Sequence, residues 1–279
     1  MTSRNPVPHP PGADVLALRT EDGVDISAVH VPGPGAPDRG DPAPPPGGTA
    51  LVVAHGFSGS WSQERVDRVI RRLARQAPVI AMDQRGHGRS SGLTTLGHLE
   101  PLDIEATTRW ARDRYESVVT IGFSMGAAVV LRHAALRPAS RGYAGTDAVV
   151  AVSGPAFWFY NGTPPMRWLH RGIASVAGRA YIRTVMRTRV DPRPWPDPPP
   201  MPPTSAASTV REHGLPLLVV HGDADAFFPL DHPTALHEAA PGSQLWIEPG
   251  FGHAEGAISE SLVDRIGAWA LTAAGAARR

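Results

Sequence analysis

Five short apolar runs recur along the chain, and each is followed by a turn or a polar residue. Their continuous apolar character is typical of strands buried on both faces of a parallel sheet. Stretches with apolar residues at helical spacing separate them. The alternation predicts an α/β fold with a doubly wound, mostly parallel sheet. Two strands of an N-terminal hairpin and a short strand at 245–247 bring the predicted sheet to about eight strands. The runs lie at residues 51–54, 78–82, 117–121, 148–152 and 217–220, and the helical stretches at 61–76, 100–114, 125–136, 233–240 and 259–274.

The N-terminal part of the chain predicts an antiparallel hairpin. Residues 15–18 and 26–31 are strand-like and flank the turn at 21–23. The residues up to about 14 are expected to be extended or disordered. Residues 32–48 are nearly all Pro, Gly, Ala and Asp, so they are expected to form a surface loop.

A long segment without a buried strand follows the sixth predicted strand, from residue 155 to 211. Apolar residues at helical spacing predict a helix around residues 169–180, which Gly172 and Gly178 would weaken. The proline-rich residues 191–203 predict an extended strap. An insertion here favours a helical lid over the carboxyl edge of the sheet, where ligands bind in such folds. The predicted division is therefore a core domain of residues 1–154 and 212–279 and a lid of residues 155–211.

Composition excludes several classes of function. The net charge of +1 gives no reason to expect a nucleic-acid or anionic membrane partner. Every basic residue is Arg, so a Walker A loop is excluded, and the absence of Cys excludes disulfides, thiolate metal sites and a Cys nucleophile. Because no apolar run is long enough to span a membrane and the first dozen residues do not resemble a signal peptide, a cytoplasmic location is expected.

The most specific motif is Gly122-Phe123-Ser124-Met125-Gly126, which follows a predicted buried strand and opens a predicted helix. A serine at such a sharp turn has its hydroxyl raised above the sheet, and a Cβ two positions before or after it would collide with the turn. The helix N-terminus behind it offers unpaired N–H groups. These features predict Ser124 as a nucleophile; the alternative is a glycine-rich turn with an incidental serine.

A serine nucleophile needs a base within hydrogen-bond reach, and the chain has 12 histidines. His253 fits because it follows a short strand at 245–247 and precedes the last helix, which brings it to the carboxyl edge of the sheet. His232 and His237 lie on or beside a predicted surface helix and are expected to be solvated. His221 closes a strand and is expected to belong to a structural turn.

The base in turn needs a carboxylate that fixes its tautomer and stabilises its charged form. Asp223 and Asp225 both follow the predicted strand at 217–220. We favour Asp225 because the segment Phe227-Phe228-Pro229 can shield it from water, and we keep Asp223 as the rival.

An oxyanion formed at Ser124 needs two N–H donors. Met125 supplies one and Phe57 the other, because Gly56 lets the chain turn tightly at the end of the first long core strand. His55 is expected to be a buried residue that bonds the backbone and shapes this loop without taking part in the chemistry.

Together these segments resemble the α/β-hydrolase superfamily. Within it the chain looks like the serine-aminopeptidase and monoacylglycerol-lipase branch, which includes many esterases. The resemblance implies a triad of Ser124, Asp225 and His253, oxyanion donors at Phe57 and Met125, and no catalytic role for His87. It argues against epoxide or halide chemistry, because relatives with those activities carry Asp at the position of Ser124. The matching segments are 55–57, 83–90, 122–126, 221–225 and 252–253.

The predicted lid suggests two kinds of substrate contact. The aromatic residues Phe157, Trp158 and Phe159 are candidates for lining an apolar acyl or alcohol pocket, with lid-to-core packing as the alternative. Arg183 belongs to a series of arginines spaced four residues apart and could hold an anionic substrate group, with a solvated or ion-paired helix face as the alternative.

The predicted function is hydrolysis of a carboxylic ester of a small or medium-sized substrate through an acyl-enzyme. A thioesterase, an acyltransferase or an aminopeptidase would use the same triad. A non-catalytic binding protein of the same fold is less favoured, because every triad member is present. No His-Glu-x-x-His helix and no glycine-rich phosphate loop occur in the sequence, so no metal and no other cofactor are expected. The sequence does not indicate an oligomeric state.

Overall fold

A computed structural model describes residues 12–34 and 47–276 of the protein. Strands and helices alternate through most of this part of the chain. The strands are β1 (Asp14–Arg19), β2 (Asp25–Val31), β3 (Thr49–Ala54), β4 (Val79–Met82), β5 (Ser117–Phe123), β6 (Ala148–Val152), β7 (Leu217–Gly222) and β8 (Gln244–Glu248). The helices are α1 (Glu64–Leu73), α2 (Pro101–Arg112), α3 (Met125–Leu136), α4 (Pro164–Ala174), α5 (Val176–Val185), α6 (Pro203–Glu212), α7 (Asp231–Ala239), α8 (Ala254–Ala257) and α9 (Glu260–Ala276).

All eight described strands form one sheet in the order β1-β2-β4-β3-β5-β6-β7-β8. The β1–β2 and β2–β4 pairs are antiparallel, and the pairs from β4 to β8 are parallel. Ala54 of β3 pairs with Gly122 of β5, so the carboxyl ends of these strands meet at one edge. The doubly wound sheet and its N-terminal hairpin are therefore confirmed.

Helices cover both faces of the sheet, which is why its central strands are buried and mainly apolar. Successive residues of a strand point to opposite faces, and in β3 Val53 joins one core cluster and Val52 the other. Helices α1 and α9 cover the first face, and α2, α3 and α6 cover the second. This burial on two sides leaves the loops at the carboxyl edge as the place where polar side chains can gather.

The segment predicted as one helix around residues 169–180 forms two helices, α4 and α5, so that prediction was wrong. Ser175 has an extended backbone, and its hydroxyl accepts a hydrogen bond from Gly178 N–H at 3.0 Å, which caps the start of α5. A Cβ on Gly178 would lie 2.2 Å from the carbonyl oxygen of Gly172. The two glycines therefore permit close contact between two helices instead of weakening one.

The proline-rich segment after α5 has no helix until α6 begins at Pro203. Its Trp195 indole donates a hydrogen bond to the carbonyl of Thr95 at 2.7 Å, which ties it to the core. Helix α6 buries Ala206, Ala207 and Val210 in the cluster that also holds α3. This packing makes α6 part of the core layer, so the lid that we propose is confined to residues 155–202.

The expected N-terminal extension lies almost entirely outside the described residues, as does most of the expected loop at 32–48. Within the described residues, no helix is both long enough and apolar enough to cross a membrane.

Candidate active site

Ser124 stands at the turn between β5 and α3. Its backbone has a φ of 51° and a ψ of −116°, a conformation that L-residues rarely adopt. A Cβ on Gly122 would lie 2.2 Å from the carbonyl oxygen of Gly126, and a Cβ on Gly126 would lie 2.3 Å from that of Ala54. Both glycines are thus required, the first inside the turn and the second against the neighbouring strand. The strand, turn and helix predicted around Ser124 are the ones observed.

His253 lies between β8 and α8, with its ring beside Ser124. Its Nε2 is 2.9 Å from Ser124 Oγ, and its Nδ1 is 2.7 Å from Asp225 Oδ2. An ionised carboxylate only accepts hydrogen bonds, so the imidazole proton lies on Nδ1. Nε2 then has a free lone pair toward the Ser124 hydroxyl, as a base for that hydroxyl requires.

Asp225 follows β7, and its side chain is closed to solvent. Its Oδ1 accepts hydrogen bonds from the backbone N–H groups of Phe227 at 2.7 Å and Phe228 at 3.1 Å. Burial raises the pKa of the Asp225 carboxyl, but the hydrogen bond from His253, the charge of His253 and these two N–H groups together bring the pKa below its ordinary value. Asp225 therefore stays ionised where it faces the imidazole.

The rival carboxylate, Asp223, points elsewhere. It is exposed, and its Oδ1 accepts a hydrogen bond from the Gly250 N–H at 2.6 Å. The ring of Phe227 stacks on His253 with centroids 4.4 Å apart, so the shielding predicted for the segment after Asp225 extends to the base. Of the two candidates, only Asp225 is hydrogen-bonded to His253.

The histidines beside the site bond to the backbone, as predicted. His55 Nε2 accepts a hydrogen bond from Gln84 N–H at 3.1 Å, and His55 Nδ1 donates to the carbonyl of Gly56 at 2.7 Å. Burial holds the pKa of His55 well below its ordinary value. His221 Nε2 lies 2.9 Å from the carbonyl oxygen of Phe228 and helps to hold the turn that carries Asp225.

His232 is fully buried, so the prediction that it is solvated was wrong. Its Nδ1 accepts a hydrogen bond from Ala156 N–H at 3.0 Å, and its ring packs edge-on against Tyr160 at 4.4 Å. The insertion supplies both contacts and covers the start of α7, which otherwise has the polar pattern of a surface helix. Burial lowers the pKa of His232 to about 4.

This burial predicts a pH-dependent stability. The ordinary pKa of His is near 6.5, so between pH 6.5 and 4 the unfolded chain holds a proton on His232 that the folded chain lacks. The free energy of unfolding should therefore fall with falling pH, by up to about 1.4 kcal/mol per pH unit from this residue. The test is His232→Asn, whose side-chain carbonyl can still accept the Ala156 N–H. When its free energy of unfolding is measured by urea denaturation at several pH values, it should fall less steeply with falling pH than that of the wild-type protein. An unchanged slope, or an equal change in the control His237→Asn at a partly exposed site, would contradict the prediction.

The two predicted oxyanion donors flank the serine. Met125 N–H is at the N-terminus of α3, where the helix dipole favours negative charge. Phe57 follows Gly56, and a Cβ on Gly56 would lie only 3.1 Å from Ser124 Cβ. Within the described residues, neither the Met125 N–H nor the Phe57 N–H has a hydrogen-bond partner. Both are thus free to donate to an oxygen on a group bound to Ser124.

A cavity of about 1420 Å³ opens over Ser124 and His253. Its lining is mainly aromatic and aliphatic, and it includes Phe157, Trp158 and Phe159 of the insertion. These residues therefore face the space beside Ser124, as a substrate pocket would require, although Trp158 also packs edge-on against Trp195 at 5.1 Å.

Arg183 does not line this cavity and is exposed on α5. Of the arginines in the same helical hairpin, Arg171 and Arg179 do line it. Arg179 also donates to the carbonyl of Ile173 at 2.9 Å, at the end of α4. The structure thus gives Arg183 no access to a group held over Ser124.

One buried residue beside the site was missed by the sequence reasoning. Glu255, two residues after His253, is 4% exposed and accepts a hydrogen bond from Gly56 N–H at 2.7 Å. The signal available in the sequence was a lone carboxylate in a stretch of small residues after the predicted base. Across residues 12–34 and 47–276, no three His, Asp or Glu side chains form a group that could hold a metal ion.

A model of the alpha/beta hydrolase family matches residues 51–266. The esterase Pf2001 of Pyrococcus furiosus is similar in structure, with a TM-score of 0.69 and 21% identity over 96% of this chain and 97% of that one. Est1E of Butyrivibrio proteoclasticus with ferulic acid bound gives a TM-score of 0.59 and 18% identity over 92% and 98%. A serine hydrolase without a lid from Xanthomonas campestris has a TM-score of 0.56 and 19% identity over 96% of this chain and 96% of that one.

Proposed function

This chain belongs to the alpha/beta hydrolase family, and we propose that it hydrolyses carboxylic esters of small or medium-sized substrates through an acyl-enzyme on Ser124. The observation that carries the proposal is the unbroken chain of hydrogen bonds at the site. Ser124 Oγ lies 2.9 Å from His253 Nε2, and His253 Nδ1 lies 2.7 Å from Asp225 Oδ2. This arrangement is the one that makes a weakly nucleophilic hydroxyl reactive.

Acylation begins when His253 Nε2 takes the proton of the Ser124 hydroxyl. Oγ forms a bond to the carbonyl carbon of the ester, and the carbonyl oxygen becomes an oxyanion. The N–H groups of Phe57 and Met125 donate to that oxyanion. As the tetrahedral intermediate collapses, the bond to the alcohol oxygen breaks, and His253 gives its proton to the departing alkoxide.

Deacylation repeats the same steps with water. His253 takes a proton from the water, whose oxygen attacks the acyl carbon, and the bond to Ser124 Oγ breaks as the serine regains its proton. Asp225 stabilises the imidazolium in both halves. Its hydrogen bonds from Phe227 and Phe228 support this role, since they keep the pKa of the carboxyl low in a buried site.

The cavity favours an apolar acyl or aryl group on the substrate. Its aromatic lining by Phe157, Trp158 and Phe159 supports burial of such a group beside Ser124. Two of the similar structures support esters, or esters of aromatic acids, as the substrate class. One is an esterase from Pyrococcus furiosus, and the other is Est1E with ferulic acid bound. Residues 155–202 act as the lid in this proposal, because their aromatic run closes one side of the cavity.

A panel of p-nitrophenyl esters from acetate to decanoate tests the proposal. Each methylene buried in the cavity contributes about 0.8 kcal/mol, so kcat/KM should rise about fourfold per added methylene until the cavity is full. Thioesters and amides with the same acyl groups serve as matched controls and should be turned over more slowly. Turnover of amides or thioesters but of no ester would contradict the proposal.

A further inference from the structure

We propose that Glu255 is a positioning residue, which holds the loop His55-Gly56-Phe57 so that the Phe57 N–H points at the developing oxyanion. The inference rests on the proposed function and adds a residue to it. We call residues 55–57 the oxyanion loop. Glu255 is 199 residues away from Gly56 in the sequence, and one hydrogen bond joins them. The Gly56 N–H donates to the side-chain Oε1 of Glu255 at 2.7 Å.

Gly56 touches both Glu255 and the nucleophile. A Cβ on Gly56 would lie 3.4 Å from Glu255 Oε2 and 3.1 Å from Ser124 Cβ. Any shift of Gly56 therefore changes the distance between the oxyanion loop and Ser124. The Glu255 bond restrains that shift from the N–H side of Gly56.

The carbonyl side of Gly56 is restrained as well. Its oxygen accepts hydrogen bonds from His55 Nδ1–H at 2.7 Å and from Gly59 N–H at 2.9 Å. In a trans peptide the carbonyl and the next N–H point in opposite directions, so these bonds set the direction of the Phe57 N–H. Because Gln84 N–H donates to His55 Nε2, the His55 proton must lie on Nδ1, as this arrangement requires.

Packing alone does not explain a carboxylate at position 255. Glu255 is 4% exposed, and burying a polar side chain is costly unless it is hydrogen-bonded. Among the described residues, no ion pair involves the Glu255 side chain, and the Arg68 guanidinium donates to its backbone carbonyl at 3.3 Å. Its carboxylate instead accepts the hydrogen bond from Gly56 N–H. This bond matters at the site because an oxyanion hole stabilises the transition state only when its donors are already held in place.

The test compares three substitutions of Glu255. Glu255→Gln keeps an oxygen that accepts the Gly56 N–H, whereas Glu255→Ala and Glu255→Met remove the acceptor, and Met keeps the volume. We expect Glu255→Ala and Glu255→Met to lower kcat by about tenfold to a hundredfold, less than the loss on removing an oxyanion donor outright. KM should stay within about twofold, because the loop bond acts on the transition state. Glu255→Gln should keep at least about a third of the wild-type kcat.

Two readouts separate positioning from a loss of folding. A fluorophosphonate titrates the reactive sites, so kcat is expressed per functional site. A trifluoromethyl ketone that adds to Ser124 forms an oxyanion, so its affinity should fall in Glu255→Ala and Glu255→Met by the same factor as kcat. Glu105→Ala is the control: Glu105 is also buried and accepts a backbone N–H, that of Ala144 at 2.9 Å, but lies on α2 outside the cavity. It should lower the melting temperature and leave kcat per site unchanged.

Two results would overturn the proposal. One is that Glu255→Ala and Glu255→Met both keep the wild-type kcat and the wild-type affinity for the ketone. The other is that Glu255→Gln loses as much kcat as Glu255→Ala, because the charge and not the hydrogen bond would then matter. Failure of the proposed function looks different, since the wild-type enzyme itself would neither turn over esters nor bind the ketone.

Discussion

Replacing Ser124 by Ala is expected to lower kcat for p-nitrophenyl esters by about a millionfold, which is the decrease typical of a triad that loses its nucleophile. The substitution removes only the Oγ that lies 2.9 Å from His253 Nε2. Without Oγ no acyl-enzyme forms, and His253 has no proton to take. The N–H donors of Phe57 and Met125 remain, so a small residual rate above the uncatalysed reaction is expected.

Folding and labelling provide the controls for this variant. Alanine tolerates the positive φ at position 124 no better than serine, and it leaves Gly122 and Gly126 in place. The melting temperature should therefore be close to that of the wild-type protein. A fluorophosphonate should add the mass of one phosphonyl group to the wild-type protein, as fluoride leaves, and should add none to Ser124→Ala. Equal turnover in the two proteins would reject the acyl-enzyme on Ser124.

The change Asp225→Asn is expected to lower kcat by about ten-thousandfold, the loss typical of this substitution in a serine triad. Asparagine has nearly the shape of aspartate but no charge to stabilise the imidazolium. Its carboxamide can also donate to Nδ1, which favours the tautomer with the proton on Nε2. That proton would occupy the lone pair that faces Ser124 Oγ.

The chain contains a matched control two residues away. Asp223→Asn removes the same charge at an exposed position, where the side chain accepts the Gly250 N–H instead of bonding His253. Its kcat should stay within about twofold of wild type. Because an asparagine at position 225 carries no charge to stabilise the imidazolium at any pH, raising the pH should not restore Asp225→Asn to the wild-type rate. If Asp223→Asn lost more kcat than Asp225→Asn, the role proposed for Asp225 would belong to Asp223 instead.

The insertion explains why some parts of this site were hard to predict. Its aromatic run faces the cavity, but it also covers His232, whose own helix has the pattern of a surface element. The same segment breaks at Ser175, because a capping hydroxyl and the contact between Gly172 and Gly178 outweigh the helical spacing of the apolar residues. In both cases contacts with a second segment override a local pattern.

Arg183 illustrates a related difficulty. Arginines spaced four residues apart share a face of a helix, but their spacing does not reveal what that face meets. Arg171 and Arg179 reach the cavity, and Arg183 does not. The direction of a helix face depends on how α4 and α5 pack against each other, which no regularity of the sequence encodes.

The order of strands and helices and the sharp turn at Ser124 followed from local features of the chain. Continuous apolar runs indicate strands that are buried on both faces. Glycines at 122 and 126 indicate a backbone with no room for a Cβ. Neither inference needs knowledge of distant residues. The contact of Glu255 with Gly56 and the burial of His232 became visible only in the folded molecule. They join segments far apart in sequence, and their distances depend on how the crossovers and the insertion bring loops together at the sheet edge.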